Sequence, residues 1–349
     1  METLWYALVV FVFTAYVVLD GYDFGVGILS PLLAKNERDR RLLRETIGPF
    51  WTGNEVWVIA GSALLFLAFP KAFAAGFSGF YLALMILLWL LMGRGLAFEL
   101  REHVNHELWR RFWDAIFFLA NLLLAFVVGL VVGNLLRGVP LNANGDFFLA
   151  LWTDLTPGPL PGLLDWFTLL TGLAMAALLM LQGASFLVMK TRGELQARAE
   201  KIARAVTGLL ALLLPALVVA LPSVQPSFGA HYEAAPIGYV WPLAVVVALV
   251  VRHLSPVRRR PVVGFAASSL VVAALLIAAA WGTFPNLLLA TTDRANSLTI
   301  LNAATERSGL EAGLWWVPPG LALVMLYQLA IHRFFGGPVT EPAPSSTHH

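Results

Sequence analysis

The chain has 349 residues, 59% of them hydrophobic and only 13% charged. Soluble globular proteins sit near 45–50% apolar and about 25% charged, so the composition excludes a soluble domain and points to a membrane protein with many spans. Net charge is +2 and cysteine is absent, which excludes disulfides, thiolate metal sites and iron–sulfur clusters in this chain.

A bilayer core of about 30 Å takes roughly 20 apolar residues per helix. On that basis the sequence predicts an all-α polytopic membrane protein with nine transmembrane helices. They fall at 4–30, 47–69, 77–99, 112–136, 162–189, 203–221, 238–254, 261–282 and 313–335. The first run lacks a basic leader and is too long for a signal peptide. Of the 23 Lys and Arg residues, 19 fall in 31–46, 94–111, 190–204, 252–260 and at Arg333. Lys71, Arg137, Arg294 and Arg307 fall in the alternate loops. The positive-inside rule makes the crowded side cytoplasmic, so the N-terminus is expected outside and the C-terminus in the cytoplasm. The basic residues lie in short loops between apolar runs, not in aromatic-interleaved patches, which argues against nucleic acid.

Three carboxylates lie within the first two predicted spans. Asp20 is about 24 Å along the first from Leu4, and Asp23, three residues on, can face the same neighbour. Glu55 is about 12 Å into the second, beside Asn54, and shares a helix face with Trp51 and Thr52. Arg94 and Glu99 end the third span on the same side, and Asp114 begins the fourth. Later spans are poorer in polar groups, chiefly Gln182 and the loop-edge Asp165. Ionisable residues inside a bilayer usually face a bundle interior and often serve ion or proton paths. A blander reading stands beside this one. Asp20 and Asp23 can cap a helix end at the interface, Asp114 can answer the helix dipole, and Arg94 with Glu99 can be a structural or snorkelling pair. Glu55, more than two turns into its span, is the hardest to explain structurally.

No histidine lies mid-span, so no bis-axial haem site is expected, and His103 with His106 reads as a solvated face rather than a metal site. Gly129 and Gly133 form a G-x-x-x-G packing motif, and the tryptophans lie mostly near span ends. Leu19-Asp20-Gly21-Tyr22-Asp23-Phe24 is echoed by Leu181-Gln182-Gly183-Ala184-Ser185-Phe186, as a four-plus-four duplication would produce.

Several stretches together resemble subunit II of the cytochrome bd-type quinol oxidases. They are Asp20-Gly21-Tyr22-Asp23-Phe24-Gly25-Val26-Gly27, Trp51-Thr52-Gly53-Asn54-Glu55-Val56-Trp57, Phe77-Ser78-Gly79-Phe80-Tyr81 and Trp113-Asp114. Further on come Gly133-Asn134-Leu135-Leu136-Arg137-Gly138-Val139-Pro140, Gln182-Gly183-Ala184, Gly193-Glu194-Leu195, Phe284-Pro285, Ser297-Leu298-Thr299 and Asn302-Ala303. They cover nearly the whole chain in family order.

The resemblance implies a first four-helix bundle at 1–136, an outside loop at 137–161 and a second four-helix bundle at 162–282. An outside loop at 283–312, a peripheral ninth helix at 313–335 and a disordered tail at 336–349 complete the expected layout. It also implies a partner, subunit I, that holds two b-type haems, one d-type haem and the quinol-oxidation site. No catalytic residue and no directly bound metal or haem is expected in this chain. Some family members hold a structural quinone in this subunit, and a small accessory single-helix subunit and membrane lipid are further expected partners.

The expected location is the bacterial inner membrane, and the expected role is support of subunit I together with cytoplasmic proton uptake. The expected proton path comprises Glu55, Asp20, Asp23, Thr52, Asn54 and Asp114, with Arg94, Glu99 and Gln182 as supporting polar groups. At Thr52 the family often has an aspartate. Threonine cannot store a proton at neutral pH, which shifts the acid role to Glu55 with Asp20 or Asp23. The alternatives are a proton-coupled secondary transporter, for which buried acids and glycine-interrupted helices are also typical, and a non-catalytic scaffold within the oxidase.

Overall fold

A computed structural model describes residues 1–254 and 260–339. Its helices are α1 (Glu2–Leu33), α2 (Glu37–Ile47), α3 (Trp51–Ala68), α4 (Pro70–Gly79), α5 (Tyr81–Leu100) and α6 (Glu107–Arg137). They continue with α7 (Trp166–Lys190), α8 (Gly193–Val224), α9 (Ala230–Ala234), α10 (Val240–Leu254), α11 (Pro261–Thr283) and α12 (Arg307–Phe334). Strands β1 (Asn286–Leu288) and β2 (Leu298–Thr299) form a short antiparallel pair. Among the described residues eight helices are long and apolar enough to cross a bilayer. The pair α2 and α3, bent by 45°, makes a ninth when taken as one broken span.

The differences from the predicted spans have local causes. The second predicted span begins at 47, but Gly48 and Pro49 break the chain there and the helix restarts at Trp51. The segment before the third span is helical rather than loop. Pro70 takes the first position of α4, where its missing N–H is no loss and its fixed φ suits a helix. α8 is 32 residues long, about 48 Å, and so extends well beyond a 30 Å core. α7 begins with a capping box, in which the Asp165 side chain accepts from the Thr168 N–H and Thr168 answers the Asp165 N–H.

α1 and α7 form the centre. α1 packs against α3, α6, α7 and α11, and α7 packs against α1, α6, α8 and α11. α5 lies on α6, α10 lies on α11, and α12 lies on α3. The two central helices touch backbone to backbone at Gly25 and Gly183. A Cβ on Gly25 would stand 2.7 Å from the Gly183 Cα and would overlap the Leu179 carbonyl oxygen. The echoed segments therefore meet at the crossing of α1 and α7. Gly129 faces Gly172 and Thr171 of α7, which is the close approach expected of the G-x-x-x-G motif.

The basic loops gather at one end. α2 carries four arginines in 11 residues and is too polar to span. It is pinned there by ion pairs. Arg101, almost wholly enclosed, binds Glu37 at 2.7 Å, Glu102 at 2.6 Å and Asp114 at 2.6 Å. Arg198 binds Asp39 at 2.8 Å. Lys190 accepts the returning chain after α12, its ammonium bonded to the Phe335 carbonyl, and the Val339 N–H donates to the Lys190 carbonyl at 2.9 Å. Of the tail expected to be disordered, 336–339 is thus tied to α7, and 340–349 lies outside the described residues, as do Arg258 and Arg259. At the other end the loops 138–165 and 284–306 interlock. The Thr291 N–H donates to the Val139 carbonyl at 2.9 Å, and the Gln225 side chain donates to the Arg137 carbonyl at 3.1 Å. Asp165 is buried against Arg137, which also binds the Asn134 side chain and the Gly162 carbonyl.

Replacing Gly183 by Ala forces α1 and α7 apart. Overpacking of a tight core costs about 1–3 kcal/mol, so the Gly183→Ala complex is expected to melt several degrees lower in detergent by light scattering or differential scanning fluorimetry. The attachment of α2 should depend on pH. The Arg101 guanidinium holds Glu37 below its ordinary value of 4.5. Burial works against Asp39, yet the Lys35 N–H and Arg198 hold it below its ordinary value of 3.8. Carboxylates depressed in the folded state contribute stability that is present above the unfolded value and lost as pH falls through the folded value. Protection of the α2 amides, as the exchange rate relative to the intrinsic rate at each pH, should therefore hold from neutral pH downward and fall only below about pH 4.5 and 3.8.

Candidate functional site

One to four turns in from the basic ends of their helices, four helices bring their intramembrane polar groups together. Asp20 lies about 20 Å before the end of α1, Glu55 about 6 Å after the start of α3, and Arg94 about 9 Å before the end of α5. The Arg94 guanidinium bridges the two acids. Its Nη1 donates to Asp20 Oδ1 at 2.8 Å and its Nη2 to Glu55 Oε1. The planar fork of arginine allows one cation to serve two helices in this way. The Phe24 ring lies 4.7 Å below the guanidinium and closes its inner face. Asp20 and Arg94 are buried, whereas the Glu55 side chain is 30% exposed. Glu55 is therefore the member of the cluster open to the outside of the chain.

Asp23 is held from a second direction. Asn54 donates through Nδ2 to Asp23 Oδ2 at 2.8 Å and to the Tyr22 hydroxyl oxygen at 2.8 Å. Asn54 is itself oriented by α12, because Gln328 Nε2 donates to Asn54 Oδ1 at 2.6 Å. That contact fixes which end of the amide faces the acid. His332, one turn after Gln328, donates from Nδ1 to the Gln328 carbonyl at 2.9 Å. Its Nε2 is left as the acceptor facing the Tyr22 hydroxyl at 3.4 Å. Tyr22 stacks on Phe186 of α7, 4.2 Å between centroids, which locks it in place.

Each acid has one oxygen anchored and another without a protein partner. Asp20 Oδ2 and Asp23 Oδ1 are buried with no protein partner. Arg94 bonds two of the three carboxylates, Asp20 and Glu55, and the third, Asp23, is held by Asn54.

Of the residues singled out from sequence, Asp20, Asp23, Asn54, Glu55 and Arg94 come together here. Thr52 does not join them. It is exposed on the outer face of α3, in line with Val56 and Ile59. Asp114 belongs to the ion-pair network of Arg101, Arg44 and Arg40 at the basic end. Glu99 is exposed at the end of α5, and the partners of Arg94 are Asp20 and Glu55 instead. Gln182 lies on α7, where it donates to Ser269 Oγ at 2.9 Å and to the Val18 carbonyl at 3.3 Å.

Gln328, His332, Tyr22 and Asn121 were not marked from sequence as site residues. Gln328 and His332 carry a readable signal, two polar side chains at i,i+4 in an apolar helix. Asn121, a buried amide deep in an apolar span, carries a similar one.

The second half of the chain contains a related arrangement. Arg252 of α10 is fully buried and binds Glu200 of α8 at 3.0 Å and Ser185 Oγ of α7 at 3.0 Å. Arginine from the third long helix and glutamate from the second repeat the Arg94–Glu55 pair. α7 supplies Gln182 and Ser185 where α1 supplies Asp20 and Asp23, so the first half carries two more buried carboxylates than the second.

Haem does not fit the described residues. His332 has both ring nitrogens engaged, His103, His106 and His253 are exposed, and His231 packs against Trp281 and Phe284. Among the described residues no three His, Cys, Asp or Glu side chains are grouped to hold a metal ion. A cavity of about 320 Å³ at the basic end is lined by Phe50, Phe334 and Phe335 but also by Glu45 and Lys190. It is a polar-rimmed cleft.

The fold and site define a polytopic helical membrane subunit with a buried acid–arginine cluster and no haem site of its own among the described residues. The family described as cytochrome bd terminal oxidase subunit II matches over residues 1–335. The chain is 30% identical over 380 residues to the cytochrome bd-I ubiquinol oxidase subunit 2 of Escherichia coli K12, covering 100% of this chain and 98% of that protein. It is 32% identical over 311 residues to the cytochrome bd ubiquinol oxidase subunit 2 of Bacillus subtilis, covering 87% of each. The fold matches a chain of the bd oxidase from Geobacillus thermodenitrificans with a TM-score of 0.73 at 18% identity, over 96% of this chain and 98% of that one. The chain belongs to the cytochrome bd terminal oxidase subunit II family and is a multi-pass subunit of a respiratory oxidase in the bacterial inner membrane.

Arg94 is the keystone of the cluster, and removing one partner of a buried ion pair typically costs about 3–5 kcal/mol. Arg94→Gln is expected to lower the yield of assembled, haem-containing complex on purification. Arg94→Lys, which lacks the fork, should recover assembly only in part.

Proposed function

We propose that this chain is the haem-free subunit of a quinol:dioxygen oxidoreductase, and that its acid cluster takes up protons from the cytoplasm for oxygen reduction in the partner. The partner is a haem-bearing subunit I with two b-type haems, one d-type haem and the quinol site, joined in some assemblies by a small single-helix subunit. The layout that goes with this reading is two four-helix groups, α1–α3–α5–α6 and α7–α8–α10–α11, with α12 outside them. The N-terminus is outside and the basic end cytoplasmic, in keeping with the positive-inside rule.

The observation that carries the proposal is the bridge of Arg94 between Asp20 and a partly exposed Glu55. Arg94 orients both acids by one oxygen each, and their remaining oxygens are free to take and give protons. Asn54, set by Gln328, does the same for Asp23. Glu55 lies where the outer face of α3 can meet subunit I, one turn from Thr52. It fills the acid role that an aspartate has at that position elsewhere in the family. Proton carriers in membranes are commonly intramembrane acids with a defined partner, as here.

Glu55→Gln keeps the size of the side chain and removes its proton site. The purified two-subunit variant should retain its haem spectrum while oxygen-linked proton uptake slows by about tenfold, equivalent to ~1.4 kcal/mol on the barrier. Normal uptake in a fully haem-loaded variant would overturn the relay.

A further inference from the structure

Beside the acid cluster lies a cavity of about 10 Å³. Trp51, Phe98 and Phe117 form its apolar wall, and Asp23, Arg94 and Asn121 are the charged and amide side chains lining it. Each of these three carries a buried polar atom without a protein partner: Asp23 Oδ1, Arg94 Nε and Asn121 Oδ1. Their other polar atoms are committed. Asp23 Oδ2 accepts from Asn54, the Arg94 terminal nitrogens hold Asp20 and Glu55, and Asn121 Nδ2 donates to the Phe117 carbonyl at 2.7 Å. Asn121 is fully buried, with its side chain packed against the backbone of α1 at Gly27.

We propose that this cavity is a binding site for a single internal water, which Asn121 positions between Asp23 and Arg94. The volume matches one water, since about 10–15 Å³ of this kind of space is the minimum for one, and buried waters typically make about three hydrogen bonds. The inventory of atoms matches as well. The water accepts from the Arg94 Nε–H and donates its two hydrogens to Asp23 Oδ1 and Asn121 Oδ1, so all three atoms are satisfied at once. The guanidinium disfavours a metal cation, the Asp23 carboxylate disfavours an anion, and nothing larger fits.

This inference rests on the relay reading for its meaning. The water joins Asp23 to the guanidinium that already holds Asp20 and Glu55, making one hydrogen-bonded unit of three acids on three supports. It also serves both protonation states of Asp23. When Asp23 carries a proton on Oδ1, the water's second lone pair accepts it, the first still accepts from Arg94, and one hydrogen still goes to Asn121. A direct Arg94–Asp23 contact would favour only the ionised form.

The test is a structure of the purified oxidase at a resolution that shows water, for the natural chain and for Asn121→Leu, with proton uptake measured on both. The natural complex is expected to show one water within hydrogen-bond distance of Asp23, Arg94 and Asn121. Asn121→Leu, similar in size but without the acceptor, should lose it and slow uptake about threefold with haem content unchanged. Asn121→Asp retains an acceptor and should keep the water, and it stands in if the leucine variant does not assemble. A dry cavity in the natural complex would overturn the site, and a water that persists in Asn121→Leu would overturn the positioning role of Asn121. Unchanged uptake in a leucine variant that has lost the water would overturn its part in proton transfer. A dry cavity leaves the relay through Glu55 standing, whereas normal uptake in Glu55→Gln removes the relay and leaves the water site standing, so the two failures are distinguishable.

Discussion

The constraint on which the site depends is that an ionised acid cannot be buried among apolar helices without a counter-charge. Arg94 supplies it, and because a guanidinium offers several donors in a plane, one residue of α5 ties down acids from both α1 and α3. The helices are held in mutual register by that bridge as much as by apolar packing. In a membrane, packing alone discriminates weakly between helix neighbours, because lipid tails are as apolar as leucine. A charge that must find its partner is a stronger instruction.

The two halves of the chain use that instruction differently. Both place an arginine of the third long helix against a glutamate of the second, Arg94 with Glu55 and Arg252 with Glu200. In the second half the first helix offers an amide and a hydroxyl, and Glu200 is shared between the buried Arg252 and the more exposed Arg204. In the first half the extra carboxylates of α1 leave charge unbalanced. The Gly25–Gly183 contact lets α1 and α7 meet at the residues where the halves diverge. The two ion-paired sites are thus variants of one arrangement, separated by two side chains of the central helices.

Much of the fold was legible in the sequence because membrane burial writes itself as long apolar runs. Predicted and observed spans differ chiefly where proline and glycine interrupt the helix, at Gly48–Pro49 and at Pro70, since hydropathy averages over a break that backbone geometry makes sharp. Asp20, Asp23, Asn54, Glu55 and Arg94 could be grouped by depth alone. Depth cannot tell which way a side chain faces around the helix. Thr52 thus shares a helix face with Glu55 but is exposed and lies outside the cluster, and Asp114 belongs to the arginine network at the basic end. Glu99 is near Arg94 in sequence, yet the partners of Arg94 lie on other helices.

The class of protein, the approximate number of spans, the one-sided basic loops and the depth of the acids are legible in the residues alone, because each follows from the local match between residue polarity and a bilayer. Only the tertiary structure decided the partners. It brought Gln328 and His332 from the far end of the chain onto Asn54 and Tyr22, set Arg94 between Asp20 and Glu55, and aligned Asp23, Arg94 and Asn121 around one small cavity. Those contacts depend on the rotation of each helix about its axis and on where the glycines let backbones approach, which are properties of packed pairs and have no expression in one helix read alone.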